Sequence, residues 1–199
     1  MNPRVLLALV LLAAFALGAT VLVAQGGDDP PTESAVSKFE GAIMPEGVRA
    51  PDFDLRNEYA RPISMRSYRG EPVVVSFLYT HCEDTCPAQA QTIRGALDDL
   101  GHDLPAVAIS VDPPRDTADS ARAFLSRQHA LGRLHFVLGT RGQLAPLWKG
   151  FAIQPQARDQ EHQARITLVD KRGYQRIGFP GGQATPERLA HDLRLLERE

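Results

Sequence analysis

The sequence predicts one α/β domain, a central mixed sheet flanked by helices, carried behind a single N-terminal transmembrane helix. Three observations point there. Two successive strand-loop-helix units, over 73–100 and 106–125, imply neighbouring strands joined by helical crossovers. A later pair of strand patterns over 166–179, followed by a helix, implies antiparallel strands closing the sheet. A charge-free tract, Val5 to Ala24, opens the chain.

That tract is interrupted only by Gly18 and Thr20 and gives about 30 Å of helix, enough to cross a bilayer. A cleavable signal has an apolar core of about 7 to 15 residues, so the tract is long for one, although Ala16 to Ala19 resembles a cleavage site. Residues 1–27 are therefore expected to be a membrane anchor or an uncleaved signal. Arg4 precedes the tract while Asp28 and Asp29 follow it, which places the bulk of the chain on the extracytoplasmic side, periplasmic or at the cell surface. Gly26, Gly27, Pro30, Pro31, Ser34, Ser37, Gly41 and Pro45 fall in a stretch without periodicity, so residues 28–48 are expected to be a flexible tether to a domain over 49–199.

In the domain, Val73 to Tyr79 is apolar on both faces, the pattern of a central strand. Thr80 to Cys86 is the loop leaving it. Pro87 suits an early helical position, and Ile93, Ala96, Leu97 and Leu100 keep helical spacing until Gly101 stops the helix. Ala106 to Val111 repeats the strand pattern, and Asp116 or Thr117 can cap a helix carrying Ala121, Phe124 and Leu125. A short strand at His135 to Leu138 precedes a helical face of Leu144, Leu147 and Trp148, which reads as core. Strands at Ile166 to Val169 and Tyr174 to Phe179 are joined at Lys171-Arg172-Gly173, and a helix from about Pro186 to Leu196 ends the domain. This order matches a thioredoxin-like arrangement.

Composition removes several classes of function. The 22 basic and 24 acidic residues give a net charge of −2 with no basic run, so nucleic acid is not an expected partner. An apolar fraction of 43% and the absence of an internal repeat exclude a disordered chain and a solenoid. With two cysteines, Cys82 and Cys86, the chain cannot be a disulfide-dense scaffold, a four-cysteine zinc module or a cysteine-ligated iron–sulfur protein.

Thr-His-Cys-Glu-Asp-Thr-Cys-Pro (80–87) puts both thiols where a buried strand runs into a helix N-terminus, at the sheet end where α/β proteins bind ligands. Helix-terminal N–H groups favour the thiolate, the form that attacks disulfides and ligates metals. A static disulfide would close too short a loop to add much stability. Two thiolates and an imidazole can hold copper, so a histidine opposite the loop is sought. His102, His129, His135 and His191 fit surface or element-end positions. His81 adjoins Cys82, but adjacent residues seldom converge on one ion. His162 ends a polar stretch, Gln154 to Gln163, just before a strand.

Taken together, Phe77-Leu-Tyr-Thr-His-Cys-Glu-Asp-Thr-Cys-Pro87, Ser110-Val-Asp-Pro-Pro-Arg-Asp-Thr117 and Glu161-His162 resemble the Sco (SenC) family of membrane-anchored, thioredoxin-like copper proteins, over about Ala50 to Leu196. The family's Cys-x-x-x-Cys-Pro and preceding His fall on Cys82, Cys86, Pro87 and His81. Its Asp-Pro-x-Arg-Asp-Thr segment is matched from Asp112, and its Asp-His pair is matched with Glu161 for Asp and Gln163 for the usual hydroxyl residue. The resemblance implies copper, as Cu(I) or Cu(II), held by Cys82, Cys86 and His162, with Asp112, His81 and Glu161 bordering the site. It implies a metallochaperone delivering copper to the binuclear copper centre of cytochrome c oxidase, with that centre's subunit and a thiol reductant protein as partners. The alternative is a thiol:disulfide oxidoreductase whose redox-active Cys82 and Cys86 reduce the acceptor's copper-ligand cysteines. A peroxidase fits least well. On this reading the protein is a carrier more than an enzyme.

Overall fold

The computed structural model describes residues 37–156 and 164–199. The anchor expected over Val5 to Ala24 lies outside them, and no helix among the described residues is long and apolar enough to cross a membrane.

The strands are β1 (Ala42–Ile43), β2 (Asp54–Arg56), β3 (Pro62–Ser64), β4 (Val73–Leu78), β5 (Ala106–Ser110), β6 (His135–Val137), β7 (Arg165–Val169) and β8 (Gln175–Pro180). The helices are α1 (Thr85–Leu100), α2 (Ala118–Arg127), α3 (Arg141–Gly150) and α4 (Pro186–Arg198). Six strands form one mixed sheet in the order β1-β8-β7-β4-β5-β6. β4, β5 and β6 run parallel, joined by α1 and α2, while β7 and β8 add antiparallel neighbours beside β4. This is the thioredoxin-like α/β arrangement expected from the alternating patterns.

The sheet sits between two apolar cores, and the pleat explains why β4 has no polar face. Val74 and Leu78 point to one side, into a core with Ile93 and Leu97 of α1, Phe124 of α2 and Leu189, Leu193 and Leu196 of α4. Val73, Val75 and Phe77 point to the other, against Leu144, Leu147 and Trp148 of α3. Ser76 faces the first core, where its hydroxyl donates to Gln89 of α1 at 3.3 Å. α1 ends where expected, with Gly101 at φ 76°, a left-handed conformation that glycine adopts without a side-chain clash. α2, α3 and α4 start on Thr117, Thr140 and Thr185, each accepting a backbone N–H three residues on.

Two parts differ from the sequence-based expectation. From Lys38, within the stretch expected to be tether, the chain already belongs to the compact domain, because long-range contacts replace local periodicity there. Phe39 is buried, the N–H groups of Glu40 and Gly41 donate to Asp192 of α4 at 2.8 and 2.9 Å, and β1 pairs with β8. A Cβ on Gly41 would lie 2.4 Å from Ile177, so the close approach needs glycine. The second difference is the β2–β3 hairpin, whose strands are three residues each, too short for their alternation to register in the sequence. Its turn is organised by Asn57, whose side-chain oxygen accepts N–H groups from Tyr59 and Arg61 at 2.9 and 3.1 Å.

Candidate metal centre

The chain leaves β4 at Leu78, crosses the parallel end of the sheet and enters α1 at Thr85. Asp84 occupies the position before the helix but makes no side-chain cap. Cys82 takes that role: its Sγ accepts the Cys86 N–H at 3.3 Å and lies 3.5 Å from Thr85 Oγ1. A sulfur so placed faces the positive end of the helix dipole, which favours its ionised form.

The two thiols differ sharply. Burial raises the pKa of Cys82, but hydrogen bonds from Thr85, from Cys86 and from the Asp84 backbone outweigh it and leave the thiol lowered from 9.0 to about 7. Cys86 is buried, and burial together with the neighbouring Cys82 sulfur pushes its pKa well above that of an ordinary thiol. Tyr79 was not singled out from the sequence. Burial, then a hydrogen bond to the Cys82 side chain, pushes its phenol up to about 12, so it stays protonated.

Beside Cys82 runs a groove of about 530 Å³ lined by His81, Cys82, Glu83, Pro87 and Arg127 among others. His81 is exposed and turns its Nδ1 to Thr80 Oγ1 at 3.0 Å. Asp112 follows the end of β5 and pairs with Arg115, without a hydrogen bond to the cysteine loop. The residue that reaches the loop is Asp116. Its carboxylate is buried and accepts the Thr80 N–H at 2.8 Å, the Thr80 hydroxyl at 2.9 Å and the Ser110 hydroxyl at 2.5 Å. Burial raises its pKa, against the lowering by those three donors. Trp148 is core, as expected, and its indole N–H donates to the Ser110 carbonyl at 2.9 Å.

His162 and Glu161 lie outside the described residues. The segments flanking them do not. Gln156 donates its N–H to the Val111 carbonyl at 3.1 Å, at the end of β5. Ile166 pairs with Ser76, two residues before β4 ends, so the chain enters β7 at the sheet end from which the cysteine loop departs. Three other histidines are engaged elsewhere: His102 with Glu197, His135 with Glu58 and His191 with Asp192. Among the described residues, no group of three His, Cys, Asp or Glu side chains could hold an ion. The described donors are thus the two sulfurs of one helix start, a soft pair suited to a thiophilic metal or to thiol–disulfide exchange.

Comparison with known proteins agrees with this layout. The chain is 29% identical over 152 residues to Protein SenC of Rhodobacter capsulatus, covering 71% of this chain and 67% of that protein. It is 28% identical over 166 residues to the mitochondrial SCO2 homolog of Mus musculus, covering 77% and 64% respectively. It spans only 30% of the Arabidopsis thaliana mitochondrial SCO1 homolog 1. The structure of Bradyrhizobium japonicum ScoI with copper bound superposes with a TM-score of 0.60 at 27% identity, over 74% of this chain and 99% of that one. The SCO1/SenC family model matches residues 44–197, which include the cysteine loop, the Asp112–Asp116 segment and the elements on either side of His162, α3 and β7, and the chain therefore belongs to the SCO1/SenC family.

Proposed function

We propose that this protein is a copper metallochaperone that binds the ion with Cys82, Cys86 and His162 and hands it to the binuclear copper centre of cytochrome c oxidase during assembly. The observation that carries the reading is the pair of sulfurs at the start of α1, on a chain similar to a ScoI whose structure holds copper. Copper is the cargo. Two thiolates and one imidazole form an incomplete shell, from which an acceptor can draw the ion by making its own bonds before the old ones break. His81 lines the groove beside Cys82, and Asp112 and Glu161 would border the site. A helix over Val5 to Ala24 would hold the domain beside the extracytoplasmic membrane surface, where the oxidase copper subunit and a thiol reductant protein would meet it.

One observation favours a second reading. Cys82 ionises near pH 7 while Cys86 is held protonated, the division of labour between an attacking and a resolving thiol. In a thiol:disulfide oxidoreductase, Cys82 would attack an acceptor disulfide and Cys86 would release the mixed disulfide. The variant His162→Ala separates the two. Copper delivery requires the imidazole, so copper affinity and oxidase assembly should both fall, while dithiol oxidation and reduction persist. Wild-type levels of active oxidase with His162→Ala, alongside loss with Cys86→Ser, would replace the chaperone reading with the reductase.

A further inference from the structure

We propose that Asp116 is a positioning residue of the copper site, fixing the segment that carries His81 and Cys82 through Thr80; this deepens the copper reading and rests on it.

The three bonds to its carboxylate have different ends. Ser110 belongs to β5, inside the sheet, and its hydroxyl donates to one carboxylate oxygen at 2.5 Å. Thr80 belongs to the cysteine loop, and both its N–H and its hydroxyl donate to the other oxygen at 2.8 and 2.9 Å. The carboxylate therefore bridges the rigid sheet to the loop, two residues before Cys82. Double contact with one residue fixes both where the Thr80 backbone lies and which way its side chain turns. Arg115, its neighbour in sequence, pairs with Asp112 instead, and the three donors to the buried carboxylate are all neutral. Such a group is costly to bury, and its three donors are aligned on it rather than on water.

The constraint continues past Thr80. A threonine hydroxyl has one proton, and of its neighbours Asp116, Ser120 and His81 the carboxylate, at 2.9 Å, is the strongest acceptor. Thr80 Oγ1 must then meet His81 Nδ1, 3.0 Å away, as an acceptor. The Nδ1–H of His81 then donates to it, which orients a ring that lines the same groove as Cys82. Asp116 thus acts on the backbone leading into the cysteine and on the ring beside it.

The test uses the purified full chain as Asp116→Asn, Thr80→Val, Thr80→Ser and, as an exposed acidic control, Asp119→Asn. Valine keeps the β-branched shape of Thr80 and exchanges only its hydroxyl for a methyl, so it reads the clamp even where Asp116→Asn fails to fold. Three quantities are measured on folded protein: copper affinity against a competing chelator, the absorption and paramagnetic resonance spectrum of the Cu(II) form, and, without copper, the equilibrium of Cys82–Cys86 with glutathione. Asp116→Asn and Thr80→Val should weaken copper binding about tenfold, alter the thiolate-to-copper spectrum and shift the thiol–disulfide constant by a similar factor, about 30 mV. Thr80→Ser should restore all three and Asp119→Asn should change none. Wild-type values for Thr80→Val, or folded Asp116→Asn altered in melting temperature alone, would overturn the assignment. If wild type binds no copper the copper reading fails, and the glutathione equilibrium still decides the role of Asp116.

Discussion

Two buried aspartates hold this molecule together at different places, and only one of them leads anywhere. Asp192 on α4 accepts the N–H groups of Glu40 and Gly41 and so pins the entering chain beside the sheet edge. Asp116 accepts the N–H and hydroxyl of Thr80 and so pins the loop that leaves β4. Both replace water on backbone amides that no strand or helix satisfies. Beyond Glu40 and Gly41 lies β1, a two-residue strand with no chemistry. Beyond Thr80 lie His81, Cys82 and the start of α1. The same device serves architecture in one region and prepares a reactive sulfur in the other, and what its donors are attached to makes the difference.

The comparison can be tested from its strongest consequence to its weakest. Cys86→Ser should lower copper affinity by more than about 100-fold, since even residues that only support a ligand are worth about 10- to 100-fold. Chelator competition measures it, and retained affinity would remove the reactive side of the contrast. Next, Cys82 should react with an alkylating agent in proportion to its thiolate. At pH 7 about half of it is ionised when folded, against about 1% at its unperturbed value, so the rate should plateau above about pH 8 when folded and keep rising past pH 9 in denaturant. Because the folded pKa is depressed, the stability this thiol contributes is complete above pH 9.0 and lost as pH falls through about 7. Superimposable pH profiles in the two states would sink it. On the architectural side, Asp192→Ala should cost about 2 to 3 kcal/mol by stranding two amides, seen in denaturant unfolding, with no change in copper affinity. A loss of copper binding in the folded variant would mean the two regions are coupled. Smallest, Thr185→Ala removes the cap of α4 and should cost about 1 kcal/mol of stability, with the alkylation profile of Cys82 unmoved.

Legibility in the sequence followed how locally each feature is specified. β4 and α1 were readable because burial on both faces and a 3.6-residue period leave marks on consecutive residues, and Gly101 ended the helix by backbone conformation alone. β1 and the β2–β3 hairpin were not. Their residues are held by Asp192, β8 and the side chain of Asn57, none of which leaves a periodic trace. The cysteines announced themselves by spacing and by the strand before them. Within the Asp112–Thr117 segment, turn chemistry could not say which carboxylate faces the loop. Asp112 pairs locally with Arg115, while the bond from Asp116 to Thr80 spans 36 positions and becomes visible only once β4 and β5 lie side by side. Tyr79 was read as the end of a strand, which it nearly is. Its phenol matters because the chain bends there and brings Cys82 under it.

The indole of Trp148 has a consequence of a practical kind. The chain contains one tryptophan, so its emission reports from a single position. That position, on α3, lies against the end of β5, where the indole N–H is bonded to the carbonyl of Ser110, the residue whose hydroxyl is bonded to Asp116. The ring is screened from solvent and packed among Leu144, Leu147 and Phe77, so its colour and quenching are set by this neighbourhood and not by bulk water. The protein therefore carries its own fluorescent gauge, placed by the fold one residue away from the carboxylate that steadies the cysteine loop.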